Sequence, residues 1–149
     1  MEVLLVKPLA AMRVFTFVLT SGLWGVAGCG GGGSDNPNAE QDLNQLGMMF
    51  HNYSDVHRGE GPAKADDFQE IVGDPKAKQA LEGLKAGKYE FLWNVRLLDV
   101  AKTPVGTGGT LLGWEKDAPT KGGRVLMVDG STKKMSADEF KAAPQAKGK

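Results

Sequence analysis

Few side chains in this sequence combine a reactive type with a useful spacing. His51 and Asp55 stand four apart, so on a helix both would face one ligand; His51 and His57 stand six apart and face different ways. His51 and Asp55 alone make a helix-surface pair, because a metal site needs three or more ligands and no further cluster accompanies them. Asp129 is a third weak candidate, since a loop carboxylate can hold calcium, but the pair Asp129-Gly130 is also a turn signal. The adjacent carboxylates Asp66-Asp67 and Asp138-Glu139 would diverge on a helix, which makes them caps or solvated faces. Gly106-Thr107-Gly108-Gly109 lacks the Lys-Ser/Thr that completes a phosphate loop. The serines sit in no Gly-x-Ser-x-Gly elbow. We therefore expect no catalytic residue, no metal and no dissociable cofactor, and look for covalent chemistry at the single cysteine, Cys29.

Cys29 closes a secretory pattern. Arg13 gives a positive start, the fourteen residues 14–27 carry no charge, and Val26, Ala27 and Gly28 precede the cysteine. As a helix those fourteen residues would span roughly 21 Å, short of the roughly 30 Å hydrocarbon core. Val26-Ala27-Gly28-Cys29 resembles the bacterial lipobox. The resemblance implies cleavage before Cys29, a diacylglycerol thioether on its sulfur and an acyl chain on its new amino terminus. Two or more chains anchor stably where one is marginal. Residues 1–28 are then a lipoprotein signal peptide, with 1–11 an extension upstream of a start at Met12. Gly30 in place of Asp favours the outer membrane over the inner.

Composition limits the partners. Without residues 1–28 the chain keeps 16 basic and 17 acidic residues in 121. That balance leaves no basic surplus for nucleic acid. Residues 29–38 form a glycine-rich tether. Residues 39–140 suit a single domain, and 141–149, which lack apolar bulk, are expected to be a disordered tail.

The domain's pattern changes along its length. Asn36-Pro37 offers a cap for a helix over 38–57, with Leu43, Leu46, Phe50, Tyr53 and His57 on one face and Gly59 ending it. Gly61-Pro62 breaks the chain. A short helix over 66–72 follows, and Asp74-Pro75 caps another reaching Ala86, with Ala77, Ala80, Leu81 and Leu84 inward. Alternation over 89–97 then predicts a strand with Trp93 in the core, and 103–109 is a loop. Strands are expected at 110–115, 124–128 and 131–135; Trp114 is either core or a partner contact. Asp129-Gly130 turns the last pair, both residues taking positive φ. Ser136 to Glu139 starts a short helix carrying Phe140. Helices first and strands later give an α+β fold, a long amino-terminal amphipathic helix packed on a small antiparallel sheet.

Two segments carry a family resemblance. Residues 43–55, LNQLGMMFHNYSD, are similar to the LKQIGLALHNYHD segment of the planctomycete DUF1559 family of type II secretion pseudopilin-like proteins. Residues 111–117 and then 122–131, GGRVLMVDGS, resemble that family's carboxy-terminal pattern ending VLFADGSV. The resemblance implies a pseudopilin-like head. Two departures stand out: a lipobox replaces the prepilin segment, and the family's histidine ahead of Asp-Gly falls on Pro119. Without the filament-forming helix such a head does not build a pilin shaft. The expectation is a lipid-anchored, non-enzymatic cell-envelope protein acting through protein contacts, with envelope or secretion-system proteins as partners. The alternative is a periplasmic module binding a small ligand or cation through the sheet and the 103–109 loop.

Overall fold

The computed structural model describes residues 36–149. Cys29 and the residues expected to form a lipobox with it, Val26, Ala27 and Gly28, lie outside that range. The described chain is α+β. Helix α1 (Ala39–Val56) is followed by a 3-10 helix (Ala65–Glu70), α2 (Pro75–Lys85), strand β1 (Tyr89–Phe91), α3 (Leu97–Ala101), α4 (Gly106–Gly109), β2 (Leu111–Glu115), α5 (Ala118–Lys121), β3 (Gly123–Met127), β4 (Thr132–Met135) and α6 (Ala137–Ala142). The sheet is antiparallel throughout, in the order β1-β2-β3-β4.

The apolar spacing of α1 does what its sequence implies. Leu43, Leu46 and Phe50 are fully buried in one cluster with Leu81 of α2, Leu112 and Leu126 of the sheet and Val128 of the turn after β3. Each such side chain contributes about 1.5–3 kcal/mol. The opposite sheet face is covered too, with Leu111, Trp114, Val125 and Met127 packed around Phe140 of α6 and Ala118 of α5. Trp114 is thus core, its ring edge-on to Phe140 at 5.1 Å. One bulge serves both faces. Leu111 pairs with Met127 and Gly113 with Leu126, so Leu112 is the extra residue. Leu111 and Trp114 can therefore share one face while Leu112 turns to the other.

Local signals hold where only neighbours are involved. Asp74 caps α2 by accepting from the Lys76 and Ala77 N–H groups, Pro75 occupies the first turn, and Gly87 closes the helix at φ +72°. Ser136 and Glu139 form a reciprocal capping box on α6.

Other expectations give way to long-range contacts. Helix α1 begins at Ala39, not after Asn36: Pro37 and Asn38 form a turn, in which Asn36 Oδ1 accepts from the Asn38 N–H and the Asn36 carbonyl from the Ala39 N–H. The 89–97 run is a strand only to Phe91. Asn94 takes φ +56°, its N–H donates to the Pro62 carbonyl, and the Val95 carbonyl accepts from Gly61. Leu97 consequently opens α3. Trp93 leaves the sheet but stays against the core, 4.9 Å from Phe91. The 103–109 segment contains the short helix α4, and 118–121 forms α5.

The hairpin and the tail also differ. Gly130 has φ +86°, but Asp129 is not in the positive-φ region. The Gly130 N–H donates to the Met127 carbonyl and the Met127 N–H to the Ser131 carbonyl. This is a type I turn closed by a glycine bulge, which needs only one left-handed residue. Residues 141–149 are not a disordered tail. The Leu111 N–H donates to the Pro144 carbonyl, the Ala146 N–H donates to the Leu111 carbonyl, and Ala146 is buried. Backbone pairing substitutes for the missing apolar bulk, and Gly148 bridges Val95 beyond it.

Candidate functional site

Two of the three weak metal candidates meet where α1 crosses the β3–β4 turn. Gly47 allows the approach: a Cβ there would lie 2.9 Å from Leu126 Cδ1 and 3.2 Å from Gly130 Cα. One helical turn later, His51 sits over Gly130, with its Cδ2 3.4 Å from where a Gly130 Cβ would be. Its Nε2 is buried with no hydrogen-bond partner among the described residues. Asp55 is exposed on α1. The expected pairing of His51 with Asp55 is replaced by packing of His51 on the hairpin, because Gly47 and Gly130 bring the turn close to the helix.

Asp129 is engaged within its own turn. Its Oδ1 accepts from the Ser131 N–H at 2.9 Å and from the Ser131 hydroxyl at 2.6 Å. Its Oδ2 faces Gly108, where a Cβ would lie 2.9 Å away, and Lys133 Nζ donates to the Gly108 carbonyl at 3.1 Å. Partial burial alone would push the carboxyl up; the two Ser131 bonds, with Lys133 and His51, outweigh it and hold Asp129 below the usual carboxylate range. The glycine-rich 106–109 segment is therefore a surface laid against this carboxylate. Among the described residues no group of three or more His, Cys, Asp and Glu side chains is placed to hold a metal ion.

A second polar centre has no motif in the sequence to mark it. Asp42, 6% exposed in the first turn of α1, accepts the Tyr89 hydroxyl at 2.7 Å. Asn36 Nδ2 donates to the same hydroxyl at 2.9 Å, and Gln79 Nε2 to Asp42 Oδ1 at 3.4 Å. Burial, and then the bond to Asp42, push the Tyr89 phenol well above its ordinary value. This network ties α1, α2 and β1 together; the tyrosine's place in an alternating run hid its hydroxyl's role.

The aromatic cluster is structural as well. Phe68 stands edge-on to Phe91 at 5.6 Å and to Tyr53 at 6.5 Å, while His57 stacks on Tyr53 at 3.9 Å. His57 Nε2 reaches Glu70 at 3.4 Å.

An apolar concavity lies elsewhere on the described surface, between α3, the turn before α4 and the carboxy-terminal segment. It encloses about 530 Å³ and is walled by Val100, Pro104, Val105, Pro144 and Ala146, with Thr103, Thr110 and Gln145 among its polar neighbours. Val105 and Leu98 stay about half exposed, at 50% and 57%. It is partly open to solvent, so it is a groove.

Compared with known proteins, the chain matches no family model, no curated protein and no solved structure. Among the described residues no helix is long and apolar enough to cross a membrane.

Proposed function

We propose that this chain is a lipid-anchored, non-enzymatic protein of the cell envelope whose pseudopilin-like head works through contacts with other envelope or secretion-system proteins. The anchor is Cys29, acylated within Val26-Ala27-Gly28-Cys29, and the outer membrane is its favoured site. The observation that carries the reading is the contact of Gly47 and His51 with Gly130. It joins the two segments on which the family resemblance rests, so they act as halves of one packed unit. The long helix α1 lying on the sheet fits the same head.

A contact role also suits the distribution of apolar surface. Both sheet faces are covered, and the groove beside Val105 offers an open apolar surface for a partner. The alternative, a periplasmic module for a small ligand or cation, draws on the same groove, which includes Thr103 and has a volume within the small-molecule range. The groove's few polar groups favour the protein-contact reading.

The test is membrane partitioning and acyl labelling of the wild-type chain and Cys29→Ala, with chemical crosslinking and pull-down from the same membranes. The reading expects loss of both label and partitioning in the variant, and crosslinked adducts in the wild type. Unchanged partitioning removes the anchor; monomer alone under several crosslinking chemistries removes the contact role.

A further inference from the structure

The groove beside α3 and α4 has a floor, a rim and an edge, and each bears on what would fill it. The floor is apolar, from the buried Val100 and Ala146, and the half-exposed Val105 stands on the wall. The rim is basic. Lys147 lines the groove, Lys102 precedes the lining residue Thr103, and Lys149 follows two residues on. All three lysines are exposed and have no ion-pair partner among the described residues. Asp99, the acidic residue of the lining, lies 4.0 Å from Arg96.

The edge is backbone. Residues 144–146 pair with Leu111 at the start of β2, through the Pro144 carbonyl and the Ala146 N–H on either side of the Gln145–Leu111 bridge. In a parallel ladder the bonds flank the bridged residue, so the N–H and C=O of Gln145 point away from Leu111. Neither has a backbone partner among the described residues. An unpaired extended edge is a template for another strand.

Resting on the protein-contact reading above, we propose that this groove takes an extended apolar peptide segment with acidic flanks from a partner protein. The segment adds as a strand along residues 144–146, places its inward side chains against Val100 and Val105, and sets its flanking carboxylates among Lys102, Lys147 and Lys149. Main-chain bonds then supply affinity, and the lysine rim supplies orientation and partner choice. A concave apolar floor behind a backbone edge suits a peptide better than a flat lipid surface.

The test uses the full-length chain in nanodiscs of neutral lipid and fluorescence anisotropy. The probes are a fluorescein-labelled peptide of alternating valine and threonine flanked by glutamates, and its lysine-flanked twin. Val105→Asp and Lys147→Glu alter exposed positions, so both variants are expected to fold. The expected result is salt-sensitive binding of the glutamate-flanked peptide alone. Val105→Asp should weaken it by roughly tenfold or more, and Lys147→Glu should narrow or invert the preference between the twins. Equal binding of the twins, no binding, or indifference to Val105→Asp overturns the proposal. Attachment to anionic vesicles that Val105→Asp abolishes, without peptide binding, overturns it in favour of a membrane surface. If crosslinked partners persist in the Val105→Asp chain, the protein-contact reading stands and the groove is not its site.

Discussion

Gly47 and Gly130 meet so closely that a Cβ on the first would stand 3.2 Å from the Cα of the second. The helix and the hairpin can touch there because neither has a side chain at the crossing point. Gly130 is constrained twice, since its φ of +86° also closes the turn.

Substitution at this contact separates the two constraints. Gly130→Ala should cost about 1–2 kcal/mol from left-handed strain. Gly47→Ala should cost about 1–3 kcal/mol from overpacking against Leu126 and Gly130, offset by up to about 1 kcal/mol of gained helix propensity. Urea unfolding of each variant measures both, and a Gly130→Ala chain as stable as wild type would contradict the turn geometry.

Tyr89 and Asp42 make a prediction at alkaline pH. Burial and the bond to Asp42 raise the folded-state value of Tyr89 above its unfolded value near 10. Its contribution is therefore complete below about pH 10 and is lost as pH rises through the folded-state value. Of the two tyrosines, Tyr89 should ionise last in an absorbance titration, although Tyr53 is also raised by burial and by Asp67 and Glu70. Tyr89→Phe should remove that late step and cost about 1–3 kcal/mol, because the buried Asp42 keeps only its long bond from Gln79.

Asp129 gives the opposite slope. Its folded-state value lies below the unfolded one, so its contribution is present above about pH 4 and is lost as pH falls through the folded-state value. Asp129→Asn should flatten the acid side of the stability profile, as read from thermal melts between neutral pH and pH ~3. An unchanged profile would mean that the Ser131 bonds contribute nothing to the fold.

The carboxy-terminal segment should behave as part of the domain. Ala146→Asp places a carboxylate in a buried site next to Leu111 and should cost about 2 kcal/mol or more. Amide exchange should show the Ala146 N–H protected along with the β2 strand; rapid exchange there would contradict the pairing.

What could be read in advance follows the range of the forces involved. The apolar face of α1, the Asp74-Pro75 cap and the Ser136 to Glu139 capping box depend on neighbours within a turn or two, and their residues announce them. The strand at Tyr89 ends early because Pro62 and Gly61, some thirty residues away, claim the backbone of Asn94 and Val95. The tail docks because Leu111 offers both its backbone groups to it. The site divides the same way. His51, Asp129 and Gly130 stood out by type, but neither their meeting nor the Gly47 contact that brings it about leaves any periodic trace. Tyr89 looked like one more apolar residue of a strand, since its bond to Asp42 crosses between elements far apart in sequence.

The most direct test of a contact-based role places a photo-crosslinking amino acid at Val105, on the groove wall, or at Asn52, exposed on α1, in the membrane-anchored chain. The account predicts a discrete heterologous adduct from position 105 and little or none from position 52. Equal labelling at the two positions, or no adduct at 105, would contradict it.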